Sequence, residues 1–167
     1  NIGRALISKG LKPFLKWPGG KFRLREKILL ALSDGKRLIE PFVGSASIFL
    51  NANYESSLLA DSNPDLIMLY NQLRKNKVRF IDYAETLFAP ENNNETKYYE
   101  FRDEFNSCTN KQRRAALFIY LNRHCYNGLC RYNSKGVFNT PFGRYKQPRL
   151  PRKEMMQFIE ASKTASF

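Results

Sequence analysis

A short apolar strand, a small-residue turn, a helix, a second strand and a terminal acid follow one another within residues 38–61, and few folds accommodate that order. Leu38, Ile39, Pro41, Phe42 and Val43 form the apolar run of the first strand. It ends at Gly44-Ser45-Ala46-Ser47, after which Ile48, Phe49 and Leu50 predict a helix. Ser57-Leu58-Leu59-Ala60 predicts the second strand, ending on Asp61. Such an order opens a βαβ unit with parallel strands, so the expected class is α/β. Small residues in the turn let a cofactor approach the backbone, and an acid closing the next strand suits ribose hydroxyls. Gly44 precedes Asp61 by 17 residues, close to the ~20 that the excursion requires. Dinucleotide binding wants further glycines, and Ala46 and Ser47 stand where they would fall. A cofactor with ribose but no phosphate fits better, and S-adenosylmethionine is such a molecule. An ordinary strand–helix turn has the same pattern, so the spacing alone leaves both readings open.

Beyond Asp61 the period changes from strand-like to helical. Ser62-Asn63-Pro64-Asp65 combines a capping side chain, an early proline and an early acid, which predicts a helix start. Leu66, Leu69, Leu73 and Phe80 continue its apolar stripe. Residues 98–105 and 115–122 predict two further helices, the second stopped by Asn127-Gly128. A hairpin follows, with Leu129–Asn133 and Val137–Asn139 joined at Ser134-Lys135-Gly136. Residues 1–62 thus read as the first part of a cofactor-binding α/β domain. Residues 63–150 read as a mostly helical insertion ending in the hairpin, and residues 151–167 as the start of a return to the α/β domain.

Charge is the second strong signal. The net charge is +13, and it is segregated along the chain. Residues 61–110 carry six Lys/Arg against nine acids, whereas residues 111–167 carry twelve against two. No acid lies between Glu104 and Glu154, a gap that holds eleven Lys/Arg. Surfaces normally mix both signs for solubility. A one-signed stretch with Tyr126, Tyr132, Phe138, Phe142 and Tyr145 interleaved is the footprint of a face that binds a polyanion. A solvated basic surface of a ribosomal or membrane-associated protein is the plainer alternative.

Other classes are disfavoured. The longest apolar run, Ala115 to Leu121, falls far short of the ~20 residues of a membrane span. The first ten residues contain neither an apolar core nor a cleavage site, so no signal peptide is expected. Three cysteines, Cys108, Cys125 and Cys130, are too few and odd in number for a disulfide framework and suit a reducing cytoplasm. With a single His in the chain, a four-ligand zinc site is not expected.

Two further strings carry chemistry. Phe14-Leu15-Lys16-Trp17-Pro18-Gly19-Gly20-Lys21 is a glycine turn flanked by an aromatic and a lysine, suited to closing on an anionic group such as an amino-acid carboxylate; a surface turn with Trp17 as a core plug is its plain reading. The second string spans residues 121–145. There arginine, as at Arg131, suits a guanine edge, asparagine an adenine edge, and an aromatic can wedge between bases. A structural hairpin with core aromatics remains open for Phe138 and Phe142.

In order and wording, these strings resemble the N-terminal part of a Dam-type DNA adenine-N6 methyltransferase. The resemblance runs from about Pro13 to Leu150 through Lys-Trp-Pro-Gly-Gly-Lys, Glu-Pro-Phe-Val-Gly-Ser-Ala-Ser, Ala-Asp-Ser-Asn-Pro-Asp-Leu, Tyr-Leu-Asn-Arg, Tyr-Asn-Gly-Leu-Cys-Arg-Tyr-Asn and Pro-Phe-Gly-Arg-Tyr. It implies a Rossmann-like, S-adenosylmethionine-dependent methyltransferase fold in a cytoplasmic, DNA-associated protein of bacterial or phage origin. It implies that Trp17, Lys21, Gly44 and Asp61 contact S-adenosylmethionine, Asp61 through the ribose. Lys16, Asn127, Leu129, Arg131, Pro141 and Tyr145 would approach the bases of a GATC duplex. Tyr126 would intercalate beside an adenine flipped out of the helix, and Arg144 would lie at the phosphate backbone.

Two departures are small: Ala46 stands where the family has a second glycine, and Pro18 where it has alanine. The third is large. The acceptor motif Asp-Pro-Pro-Tyr does not occur in these 167 residues, so this chain by itself is expected to recognise DNA without transferring a methyl group. A non-catalytic DNA-binding module derived from such an enzyme is the rival reading, and a nicotinamide oxidoreductase is disfavoured by the missing glycines. A βαβ opening alone would leave Ile39, Phe42 and residues 48–50 with too little to pack against, and its free edge could pair with another chain.

Overall fold

The computed structural model describes residues 10–167, so the reading of the first ten residues falls almost wholly outside it. The fold mixes helix with a small parallel sheet. In chain order the regular elements are α1 (Arg25–Ala31), β1 (Arg37–Glu40), β2 (Ser56–Leu59), α2 (Pro64–Asn76), α3 (Val78–Glu85), α4 (Glu95–Ser107), α5 (Lys111–His124), α6 (Arg152–Ala161) and β3 (Ala165–Ser166). The three strands lie in the order β1-β2-β3, all parallel. Leu38 pairs with Ser57, and Ser57 in turn with Ala165. No helix among the described residues is long and apolar enough to cross a membrane.

Local chemistry explains where the elements start and stop. Asn63 caps α2, its side chain accepting from the backbone N–H of Asp65 at 3.0 Å and of Leu66 at 3.2 Å. Pro64 follows in the first turn, where a missing N–H costs nothing. The stripe Leu66, Leu69, Leu73 and Phe80 is fully buried but does not lie on one helix. Lys77, at φ 52°, breaks it into α2 and α3. The first strand ends at Glu40 rather than Val43, because Pro41 has no N–H to donate to a ladder. In place of a helix at residues 48–50 there is one 3-10 turn, Phe49–Asn51. Ala46 enters it in the left-handed region at φ 63°, and the Asn51 amide donates back to the Ser47 carbonyl at 2.8 Å. Both compete with a regular helix. Likewise α5 stops at His124, before Asn127-Gly128.

The expected hairpin is present as a turn and not as two strands. Asn133 N–H donates to the Val137 carbonyl at 3.0 Å, and Asn139 N–H to Arg131 at 3.0 Å. Only one bridge, Tyr132 with Phe138, has ladder geometry there, and a second joins Cys125 with Phe142.

Helix α5 is the centre of the molecule. Every residue from Ala115 to Asn122 is buried, and α2, α3 and α4 pack around it. Phe158 of α6 joins the helices to the sheet, with its ring 4.6 Å from Tyr70, 5.4 Å from Phe14 and 6.0 Å from Phe49. Aromatic pairs in these arrangements contribute roughly 0.5–1.5 kcal/mol beyond the area they bury. Because α6 and β3 close this side, Ile48, Phe49 and Leu50 are buried, against expectation. The other sheet face stays bare: Ile39 is 63 % exposed and Phe42 71 %.

Candidate functional site

Parallel strands bring their carboxyl ends to one edge of the sheet, and here that edge is a cleft. Past β1 and β2 the chains stay in register, with Val43 N–H donating to the Ala60 carbonyl at 2.9 Å. Gly44 and Asp61 are thereby opposed, and Gly44 N–H donates to the Asp61 carboxylate at 2.9 Å. The loop Trp17–Lys21 forms the facing wall. Trp17, Lys21, Gly44 and Asp61, singled out separately in the sequence, line this one cleft of about 200 Å³ with Phe42, Val43 and Ser45.

Gly44 is there for two physical reasons. Its φ of 49° disfavours a side chain, and a Cβ would sit 3.0 Å from the Trp17 indole. The Tyr70 hydroxyl, on α2, holds the Gly44 carbonyl from behind. Ala46 does not crowd the cleft: it is fully buried and absent from the lining, so the departure costs backbone strain rather than cofactor space. The Asp61 carboxylate also accepts from Asn63 N–H at 3.0 Å. A carboxylate has about four acceptor sites, so two remain for a ligand.

Lys21 is less free than the sequence suggested. Its ammonium donates to Glu40 at 3.2 Å and to the Phe42 carbonyl at 2.7 Å. Glu40, only 7 % exposed, also accepts from Phe49 N–H at 3.3 Å. Burial raises the Glu40 pKa, and Lys21 offsets part of that rise. Glu40 was missed in the sequence, although an acid closing an otherwise apolar strand is a readable signal.

The second surface adjoins the first. Lys16 precedes Trp17 and turns the opposite way, its ammonium 4.0 Å above the Tyr145 ring. Fully buried Asn122 locks Lys16 there, accepting from its N–H at 3.0 Å and donating to its carbonyl at 2.7 Å. A polar residue ending the apolar run of α5 was the signal for Asn122. Burial, then the neighbouring Arg123 charge, lowers the Lys16 pKa. Gly128 sits so close that a Cβ would meet the Lys16 side chain at 2.4 Å. The Tyr145 hydroxyl accepts from Asn127 N–H at 3.0 Å. Lys16, Asn127 and Tyr145 therefore form one group.

Tyr126 stands beside it, 53 % exposed, its N–H held by the Pro141 carbonyl at 2.9 Å. Pro141 is exposed and Leu129 half-buried. Arg131 points along the hairpin, with Nε donating to the Asn139 amide oxygen at 2.8 Å. Arg144 lies apart from the group, reaching 3.5 Å toward Glu95.

The acid-free stretch of the sequence is not acid-free in space. Arg113 pairs with Glu104, Arg114 with Asp65, Arg144 with Glu95, and Arg152 with Asp82 and Glu85. Among the described residues of that stretch, no ion pair involves Lys111, Arg123, Arg131, Lys135, Lys146, Arg149 or Lys153, and four of these seven lie within residues 131–149.

A model of the D12 class N6 adenine-specific DNA methyltransferase family matches residues 17–167. The chain belongs to that family. Among curated members of similar sequence are the DNA adenine methylases of Serratia marcescens, 54 % identical over 156 residues, and of Escherichia coli (strain K12), 49 % identical over 156 residues. Each match takes in 93 % of this chain, but 58 % and 56 % of those relatives. A Vibrio cholerae DNA adenine methylase is 46 % identical over 159 residues, with 95 % of this chain and 57 % of its own length matched. This D12 class chain therefore spans somewhat more than half the length of these relatives.

Proposed function

We propose that the chain supplies target recognition and part of the cofactor site of an S-adenosylmethionine-dependent DNA adenine-N6 methyltransferase that reads GATC. The observation that carries this reading is the convergence of Trp17, Lys21, Gly44 and Asp61 on a single cleft beside the basic hairpin. The cleft suits S-adenosylmethionine. Asp61 keeps acceptor capacity for ribose hydroxyls, Gly44 admits close approach to the backbone, and Trp17 offers an aromatic wall. The third donor of Lys21 remains for a carboxylate. When bound, the cofactor would supply an electrophilic methyl group.

This chain's residues bind and orient. Asp61 and Lys21 hold the two ends of the cofactor. Lys16, Asn127, Leu129, Pro141 and Tyr145 approach the bases, Arg131 reads a guanine edge, Tyr126 wedges into the duplex, and Arg144 lies at a phosphate. Division into a Rossmann-like cofactor domain (1–62 and 151–167) and a recognition insertion (63–150) is supported by the return of β3 to the sheet beside β2.

The test is calorimetry with S-adenosylmethionine. Asp61→Ala is expected to weaken binding by about 10–100-fold, since a charged acceptor of two hydroxyls is worth roughly 1.5–3 kcal/mol. Unaltered affinity removes Asp61 from the site. A second reading is a non-catalytic sequence-specific DNA-binding module, carried by the hairpin on which Asn139 holds Arg131 at 2.8 Å. A methylation assay on a GATC duplex, with and without downstream residues, separates the two.

A further inference from the structure

We infer that Asp65 is a positioning residue that couples the occupied cofactor cleft to the DNA-reading hairpin through the Tyr132 hydroxyl. The inference rests on the reading of the cleft and hairpin just given.

A continuous chain of short polar contacts joins the two. Asp61, at the cleft, accepts from Gly44 N–H at 2.9 Å with one oxygen and from Asn63 N–H at 3.0 Å with the other. The Asn63 side chain in turn accepts from Asp65 N–H at 3.0 Å. The Asp65 carboxylate then crosses to the hairpin, accepting from the Tyr132 hydroxyl at 2.8 Å. Arg114 of α5 completes the arrangement with two bonds to the same carboxylate, at 2.6 and 3.1 Å. Asp65 is 5 % exposed, so this is a buried, bidentate ion pair with a third donor added. Burial, and then the Asp65 charge, raises the Tyr132 pKa, so the hydroxyl keeps its proton and remains a donor.

Stability alone explains this arrangement poorly. A buried ion pair contributes little net stability against an apolar substitute of similar volume. What it contributes is direction: Arg114 is anchored to the carbonyls of Phe105 at 2.7 Å and Cys108 at 3.3 Å, so the carboxylate has one orientation. The hairpin has a second anchor at Asn106, which exchanges two bonds with Phe138, at 2.8 and 3.1 Å. That anchor leads to α4 and has no link to the cleft. Tyr98 holds the Thr140 carbonyl at 2.8 Å, and Asn122, which binds Lys16 beside Trp17, reaches only the base of the hairpin at the Gly128 carbonyl, 3.3 Å away; the Tyr132 contact is the one that joins the hairpin strands to Asp61. Ribose hydroxyls bound to Asp61 would fix the Asp61–Asn63 loop, hence the start of α2, hence Asp65. A steadier hairpin then presents Arg131 in one register. By linkage, DNA held on the hairpin must tighten cofactor binding by the same factor.

The test follows amide hydrogen exchange of Asn133, Gly136 and Asn139, with and without saturating S-adenosylmethionine, in a protein extended to the full length of its relatives. These amides bond within the hairpin at 3.0, 2.9 and 3.0 Å. Cofactor is expected to slow their exchange about fivefold or more, the lower end of usual coupling between sites. Tyr132→Phe keeps the ring against Phe138, and should abolish that increment while cofactor affinity stays within about twofold. Asn106→Ala should instead speed exchange equally with and without cofactor, as a purely structural anchor does. Cofactor binding without hairpin protection, or full protection in Tyr132→Phe, overturns the inference and leaves the cofactor reading standing. No binding at all overturns both.

Discussion

His124 ends α5 with its ring 3.8 Å from Tyr120 and its Nδ1 bonded to the Tyr120 carbonyl at 2.8 Å. Burial, aided by the nearby Arg123 and Lys16 charges, lowers its pKa to about 4 despite that bond. Unfolded, the same imidazole protonates near its ordinary 6.5. Between those values the unfolded chain binds more proton, so this contribution is complete above ~6.5 and is lost as pH falls toward 4. The loss by pH 4 is on the order of 3 kcal/mol. His124→Gln cannot titrate and should flatten the acid limb of stability against pH, read by urea unfolding at several pH values. An unchanged slope would place the acid sensitivity elsewhere. Glu40 works in the opposite direction, because its raised pKa makes its burial costlier as pH rises, but it is present in both proteins. Neither behaviour follows from the residue type. Each needs the knowledge that a polar group has been taken out of water.

At the scale of elements, the roles proposed for the hairpin at residues 129–140 divide into reading by Arg131 and attraction by Lys135. Arg131 is pre-oriented by Asn139, its Nη2 also donating to the Asn139 carbonyl at 3.2 Å. Lys135 lies exposed at the tip, where no partner fixes it among the described residues. Arg131→Ala is expected to cost about 1–3 kcal/mol on a GATC duplex and to relax discrimination at one base pair. Lys135→Ala should weaken all duplexes alike and lower the salt slope by about one unit. Competition titrations with GATC and scrambled duplexes at several salt concentrations measure both. An unchanged specific-to-nonspecific ratio in Arg131→Ala would show that the hairpin is not the reader. The helices α2, α4 and α5 were legible in the sequence because their caps and apolar periods are local. The kink at Lys77 was not, since the stripe of buried leucines runs through it unbroken. The two strands expected for the hairpin reduce to one bridge, and Asn106 of α4 takes both the N–H and the carbonyl of Phe138 that a longer ladder could use.

For the molecule as a whole, the exposed side of the sheet decides behaviour. Leu30, Ile39 and Phe42 are 88 %, 63 % and 71 % exposed, and β1 pairs with β2 alone among the described strands. Parallel sheets are normally covered on both faces, and open edges invite pairing. The isolated 167-residue chain is therefore expected to self-associate in sedimentation velocity as its concentration rises, with Ile39→Lys reducing the effect. It should bind duplex DNA with a steep salt dependence and transfer no labelled methyl group to GATC. A monomer at all concentrations would remove the sheet face as the cause. Turnover by a mass-verified chain would place acceptor groups within the residues assigned here to recognition.

The order strand, small turn, helix, strand, acid was read from the sequence alone; it predicted the parallel pairing of β1 with β2 and the opposition of Gly44 and Asp61, while the glycine loop string supplied Trp17 and Lys21 and the helix reduced to one 3-10 turn. Those features are local, or set by a fixed excursion length, so a linear pattern carries them. Charge was legible only as a tendency. The eleven basic residues between Glu104 and Glu154 look alike on paper, yet Asp65, Asp82, Glu85, Glu95 and Glu104 neutralise Arg113, Arg114, Arg144 and Arg152 across the fold. Lys21 was read as a cation for an anionic ligand and is also tied to Glu40; Tyr132 was read as one more aromatic and anchors the hairpin to Asp65. Coulombic and hydrogen-bonding partners depend on distance in space, and residues 49 or 67 positions apart, as in Arg114–Asp65 and Tyr132–Asp65, acquire that distance only when α2 and α5 pack.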